Sequence, residues 1–129
     1  MDAIPPSLGL HLIADFFEAS ALHDPLPCED ALRRAAFAAK ADILELKTHD
    51  FGKRAGFTGV ALLAESHISV HTWPEHGYAA IDIFMCGEAQ PQRSLDVLKD
   101  YFRPQRISTQ SIRRGLVGQT LPRLAVAGS

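Results

Sequence analysis

The stretch Ala64–Glu88, AESHISVHTWPEHGYAAIDIFMCGE, limits the possible folds of this chain more than any other. Ile68-Ser69-Val70 and Ala79-Ala80-Ile81-Asp82-Ile83-Phe84 read as two short strands, bounded by turn residues. Pro74-Glu75-His76-Gly77 lies between them. Proline fits the early position of a turn and glycine the late one, so the two runs predict a hairpin. The same stretch holds Glu65, Ser66, His67, His71, Glu75, His76, Asp82 and Cys86, a density of reactive side chains that a purely structural hairpin does not need.

Around the hairpin, strand and helix patterns alternate. Met1–Ser7 is expected to be a loose arm, because Pro5-Pro6 blocks regular structure. Gly9–Phe17 reads as a first strand; a lone imidazole such as His11 in an apolar strand is ordinarily structural. Asp24-Pro25-Leu26-Pro27 reads as a linker, and a helix then opens at Cys28-Glu29-Asp30 and runs through ALRRAAFAAKA, a series of good helix formers. Leu32, Ala35, Ala36 and Ala39 form its apolar stripe, with Phe37 near the edge and Cys28 as a helix-start residue. Glu29 and Asp30 near the start and Lys40 near the end suit the helix dipole.

Asp42–His49 alternates and reads as a second strand with one wetter face. After the loop His49–Gly56, the run Phe57–Ala64 is apolar enough to predict a strand buried on both faces. Gln92–Phe102 is a second amphipathic helix with Leu95, Leu98, Tyr101 and Phe102 on one side, stopped by Pro104. Arg106–Arg114 reads as an edge strand whose Arg113-Arg114 pair is solvated, and 116–129 as a mobile tail. This order predicts one domain over 1–129 of the α+β class: a two-layer sandwich with a largely antiparallel sheet and two helices packed on one face.

With 129 residues, 47% hydrophobic and 22% charged, the chain can bury one core. A formal charge of −2 gives no reason to expect nucleic acid or an anionic membrane as partner. No apolar run is long enough to span a bilayer. Asp2, Pro5 and Pro6 stand where a signal peptide carries basic residues and an apolar centre, so a cytoplasmic protein is expected. Cys28 and Cys86 are too few for a disulfide framework and fit a reducing compartment.

Glu65-Ser66-His67, the run His71-Thr72-Trp73-Pro74-Glu75, then Gly77-Tyr78-Ala79-Ala80 and Cys86-Gly87 resemble the small prokaryotic S-adenosylmethionine decarboxylases. These are pyruvoyl-dependent enzymes of polyamine (spermidine) synthesis. The resemblance runs from about Leu8 to Gly115. It implies the same α+β sandwich, assembled as a homodimer of cleaved protomers.

A serine hydroxyl is a poor nucleophile unless a base or strained geometry helps it. No Gly-x-Ser-x-Gly elbow surrounds Ser66, which leaves attack on its own preceding carbonyl as the use that the resemblance implies. Ester formation at Glu65, β-elimination to dehydroalanine and hydrolysis would give a β chain of 1–65 and an α chain of 66–129. The α chain would begin with a covalent pyruvoyl cofactor derived from Ser66. That carbonyl would form a Schiff base with the amine of S-adenosylmethionine and serve as the electron sink that pyridoxal phosphate supplies elsewhere.

The resemblance also implies roles for single residues. His71 would be the proton acceptor in processing, with Thr58 helping by hydrogen bonding. Cys86 would donate a proton after decarboxylation, a task that suits a thiol. Glu75 would accept hydrogen bonds from the ribose hydroxyls, since a carboxylate can accept two at once. Phe51 would stack on the adenine, and an aromatic face near the sulfonium would add about 0.5–2 kcal/mol.

Other readings stand beside these. His67, His71, His76 and Cys86 are all zinc-ligand types, yet their spacing matches no tight ligand motif, so no metal is assigned. His67 and His76 are otherwise expected to make only local hydrogen bonds. Asp82 is either an orienting carboxylate or the polar face of a half-exposed strand. The Lys53-Arg54 loop leaves room for a pyruvoyl-dependent ornithine or arginine decarboxylase on the same scaffold. A non-processing structural or regulatory homologue is a further alternative, weighed against by intact Glu65, Ser66, His71 and Cys86.

Overall fold

The computed structural model describes residues 7–118 and 120–125. In chain order the elements are β1 (Ser7–Phe17), α1 (Pro25–Ala38), β2 (Ile43–Asp50), β3 (Phe57–Leu63), β4 (Ser66–Trp73), β5 (Tyr78–Cys86), α2 (Pro91–Phe102) and β6 (Arg106–Leu116). The strands form one sheet in the order β2-β3-β4-β5-β1-β6, and every neighbouring pair is antiparallel. This is the expected α+β sandwich. Alternation along the strands sends Leu12, Ala14 and Phe16, Ala61 and Leu63, Ile68 and Val70, and Ile81, Ile83 and Met85 to one buried face. That face meets Leu32, Ala35 and Ala36 of α1 and Leu95, Leu98 and Phe102 of α2 in a single core. Ser94 Oγ donates to the Ala35 carbonyl at 2.6 Å and ties the helices together. No helix among the described residues is long and apolar enough to cross a membrane.

Several expectations are corrected. Helix α1 starts at Pro25, so the supposed linker is its first turn. Asp24 caps it by accepting from the Leu26 N–H at 3.0 Å, and proline fits a first turn because its missing N–H would have had no helical partner there. Glu29 and Asp30 therefore lie one turn further in, and Lys40 lies beyond the helix end with φ 63°. Phe37 is 85% exposed, on the side away from the core. Strand β3 is buried on one face only: Val60 and Leu62 are 38% and 48% exposed, because both helices cover the same side of the sheet. In β2 a register shift between Ile43 and Glu45 turns Leu44 out to solvent. Ser7 and Leu116, expected in arm and tail, pair with each other as the ends of β1 and β6. Residues 120–125 carry no helix or strand; the remainder of the expected arm and tail, residues 1–6, 119 and 126–129, lies outside the described residues.

Candidate active site

Strands β3 and β4 are joined by a two-residue turn, Ala64-Glu65, with Leu63 paired to Ser66. Glu65 adopts φ 59°, a left-handed conformation that costs a residue with a Cβ roughly 1–2 kcal/mol. Ser66 opens β4 with its side chain on the helix side of the sheet, 8% exposed. The neighbouring strand β5 ends at Cys86, which reaches both halves of the Glu65–Ser66 peptide. Its backbone N–H donates to Ser66 Oγ at 3.2 Å, and its thiol donates to the Glu65 carbonyl oxygen at 3.0 Å. A donor on that oxygen polarises the carbonyl beside the hydroxyl.

A second group sits at the other end of β4. Thr58 on β3 is the cross-strand partner of His71, and Thr58 Oγ1 lies 3.0 Å from His71 Nδ1. Trp73 follows on the same face, with ring centroids 6.3 Å from His71 and 5.3 Å from Tyr78. Glu75 is exposed in the 3₁₀ turn Pro74–His76, which closes on Gly77 at φ 60°. Phe51 is 58% exposed in the β2–β3 loop, edge-on to His49 at 4.8 Å. The expected site residues therefore fall into two groups, Glu65-Ser66-Cys86 and Thr58-His71 with Trp73. Five residues of extended strand separate Ser66 from His71, about 17 Å, and the odd spacing puts the two side chains on opposite faces. The resemblance, which gives His71 a role at Ser66, implied that they met. The zinc alternative fails for the same reason: His67 and His71 lie about 13 Å apart along β4.

Sequence reasoning missed a third group. On the face that the helices leave open, four adjacent strands contribute Arg114 (β6), His11 (β1), Asp82 (β5) and His67 (β4). Arg114 bonds to His11 Nδ1 at 3.1 Å, His11 Nε2 bonds to Asp82 Oδ1, and His67 Nε2 lies 2.9 Å from Asp82 Oδ2. Partial burial pushes Asp82 upward, but hydrogen bonds and charge from His11 and His67 outweigh it and hold the carboxyl below its ordinary value. His67 stacks on Phe84 at 5.9 Å, and His11 meets the same ring edge-on at 5.5 Å. Gly9 leaves space for that ring, since a Cβ there would lie 2.5 Å from Phe84 Cζ.

The ligand atoms of His11, His67 and Asp82 lie within 4.8 Å of one another, close enough to gather on a metal ion. Arg114 opposes that. A guanidinium only donates, so His11 Nδ1 accepts, and the ring hydrogen of neutral His11 sits on Nε2 facing Asp82. The group is thus a hydrogen-bonded row. Its His11, His67 and Arg114 form part of the wall of a cavity of about 560 Å³ that Glu65, Ser66 and Leu62 also line. The one signal in the sequence was parity: His67 and Asp82 each point away from the core-facing residues of their own strands. That β1 inserts beside β5 and brings His11 to them is a long-range fact that alternation does not carry.

Residues 10–115 match the family described as S-adenosylmethionine decarboxylase. The S-adenosylmethionine decarboxylase proenzyme of Thermomicrobium roseum is 39% identical over 112 residues, covering 86% of this chain and 97% of that protein. The proenzyme of Methanococcus vannielii is 43% identical over 113 residues, covering 85% and 92%. Among solved structures, the adenosylmethionine decarboxylase of Aquifex aeolicus superimposes with a TM-score of 0.79 at 34% identity, covering 91% of this chain and 98% of that one.

Proposed function

The chain belongs to the S-adenosylmethionine decarboxylase family, and from that premise we propose that it decarboxylates S-adenosylmethionine by means of a pyruvoyl group made from its own Ser66. The observation that carries the reading is the pair of hydrogen bonds from Cys86 to Ser66 Oγ and to the Glu65 carbonyl oxygen. Ser66 Oγ adds to the Glu65 carbonyl carbon, and the charge that gathers on the carbonyl oxygen meets the thiol hydrogen. The amide bond breaks as the ester forms, and its nitrogen takes up a proton. Loss of the Ser66 α-proton then expels the Glu65 carboxylate and leaves dehydroalanine. Water converts this to the pyruvoyl terminus, with release of ammonia. The products are chains 1–65 and 66–129.

The pyruvoyl group supplies a carbonyl that condenses with the substrate amine and accepts the electron pair left by carbon dioxide. Cys86, already beside residue 66, returns a proton to the product carbon. Glu75 holds the ribose hydroxyls, and Phe51 stacks on the adenine. His71, with Thr58 on its Nδ1, takes the α-proton of Ser66 during cleavage.

His71 and Ser66 of one chain are too far apart for that last step, which supports a homodimer in which each Ser66 meets His71, Thr58, Glu75 and Phe51 of a second copy. The open sheet face, with Val60, Leu62, Trp73 and Ile112 all 38–48% exposed, is apolar enough to be covered by such a copy. Polyamine synthesis in the cytoplasm is the setting. The relatives cited carry the S-adenosylmethionine name, and none supports the ornithine or arginine alternative.

The test is direct. Purified protein should run as two chains of nearly equal length, the C-terminal one blocked to Edman degradation because a pyruvoyl terminus has no amine. It should release carbon dioxide from S-adenosylmethionine, and Ser66→Ala should stay in one piece. A wild-type chain that stays whole and inactive overturns the reading, and carbon dioxide from ornithine or arginine alone would replace the substrate.

A further inference from the structure

We infer that His67, oriented by Asp82, is a catalytic base that takes a proton from the α-ammonium of the amino-acid substrate in the cavity beside Ser66. The inference rests on the pyruvoyl function proposed above. In the four-residue row each hydrogen is fixed by its partner. Arg114 forces the Nε2–H form of neutral His11, which donates to Asp82 Oδ1. An ionised carboxylate only accepts, so His67 Nε2, 2.9 Å from Asp82 Oδ2, is also a donor. In neutral His67 the lone pair then lies on Nδ1, which has no partner among the described residues. The ring is fixed at its edge by Asp82 and on its face by Phe84. A carboxylate that sets the tautomer and leaves the other nitrogen free is the arrangement that makes imidazole an oriented base.

Place and need agree. His67 follows Ser66 directly, and both line the same cavity of about 560 Å³ with Glu65, Phe84 and Arg114. Charged or titratable groups that face His67 are Asp82 from β5, His11 from β1, Arg114 from β6 and Glu65 from the β3–β4 turn. The α-amine of an amino acid is protonated at neutral pH and has no electron pair with which to attack a carbonyl. His67 Nδ1 removes one proton, and the freed pair forms the carbon–nitrogen bond to the carbonyl carbon of residue 66. The carbonyl π pair moves to its oxygen, which takes a second proton from the nitrogen. The imidazolium returns the first proton to that hydroxyl, which departs as water. One water is released, the positive charge stays on nitrogen, and His67 is regenerated.

His67→Gln keeps an N–H for Asp82 but has no basic nitrogen. This variant is expected to cleave into two chains. S-Adenosylmethionine fixed to its α chain by cyanoborohydride, read as a mass gain separately from carbon dioxide release, should form about 10²-fold more slowly near pH 7. The deficit should shrink about tenfold per pH unit as solution deprotonates the amine. In the uncleaved Ser66→Ala protein, nitrogen NMR should find His67 in the Nε2–H form, and Asp82→Asn should disturb it. Capture at the wild-type rate, or an Nδ1–H tautomer, overturns the proposal. A His67→Gln chain that stays whole would place the residue in cleavage and overturn it too. A wild-type chain that stays whole overturns the pyruvoyl reading instead, and the tautomer still judges the dyad.

Discussion

Cys86 offers two hydrogen bonds with separable consequences. Its backbone N–H would still reach Ser66 Oγ in any variant, while its thiol bond to the Glu65 oxygen is lost in Cys86→Ala. Gel analysis of that variant should find cleavage slowed, by about tenfold or more, yet completed, since a weak thiol donor is worth less than a full oxyanion donor. Turnover by the cleaved form should then be poor, with dead enzyme accumulating as the intermediate is protonated at the wrong carbon; normal turnover and partition would rule out the donor role. Asp82 gives a pH signature. Its carboxyl is held below its ordinary value in the folded protein, so the stability it contributes is present above the unfolded value near 3.9 and is lost as pH falls through the folded value. Melting curves between pH 6 and 2 should show wild type losing its advantage over Asp82→Asn at the acid end; parallel curves would contradict this.

At the scale of elements, α1 depends on a cap that looked like linker. Asp24→Ala removes the acceptor for the Leu26 N–H and should cost about 1 kcal/mol of stability in denaturant titration, with cleavage at Ser66 unaffected. The hairpin β4–β5 was legible because its alternation and its Pro-to-Gly turn are local. The helix start was misread because two prolines suggest a break, although a first turn tolerates them. The burial of β3 was misread because Val60 and Leu62 look like core in sequence and lie on a face that the helices of the same chain do not cover. The motif drew attention to Glu65, Ser66 and Cys86 together, and the structure brings Cys86 to the Glu65–Ser66 peptide. That His71 lies at the far end of β4, with Thr58 beside it on β3, follows from strand length, which motif spacing hides.

For the whole molecule, the two separated groups predict complementation. Ser66→Ala and His71→Ala should each stay uncut alone, and co-expressed they should recover up to about a quarter of the wild-type cleavage, since half of the dimers would be mixed with one sound site each. No recovery would mean that each chain completes its own site. The strand order has another consequence. A cut between Glu65 and Ser66 assigns β1, β2 and β3 to one fragment and β4, β5 and β6 to the other, yet β1 lies between β5 and β6. The fragments are interleaved, and they cannot part without breaking the β3–β4, β5–β1 and β1–β6 ladders. Such a cut would remove one covalent link and change the molecularity of finding the fold. The uncut Ser66→Ala subunit should regain its fold after dilution from denaturant at a rate independent of concentration. The cut protein has to bring two strangers together first, so its recovery should slow on dilution and fail where fragments aggregate before they meet. If the chain is processed as proposed, the route to the fold is usable once, and the cut protein would last only as long as its unfolding is slow.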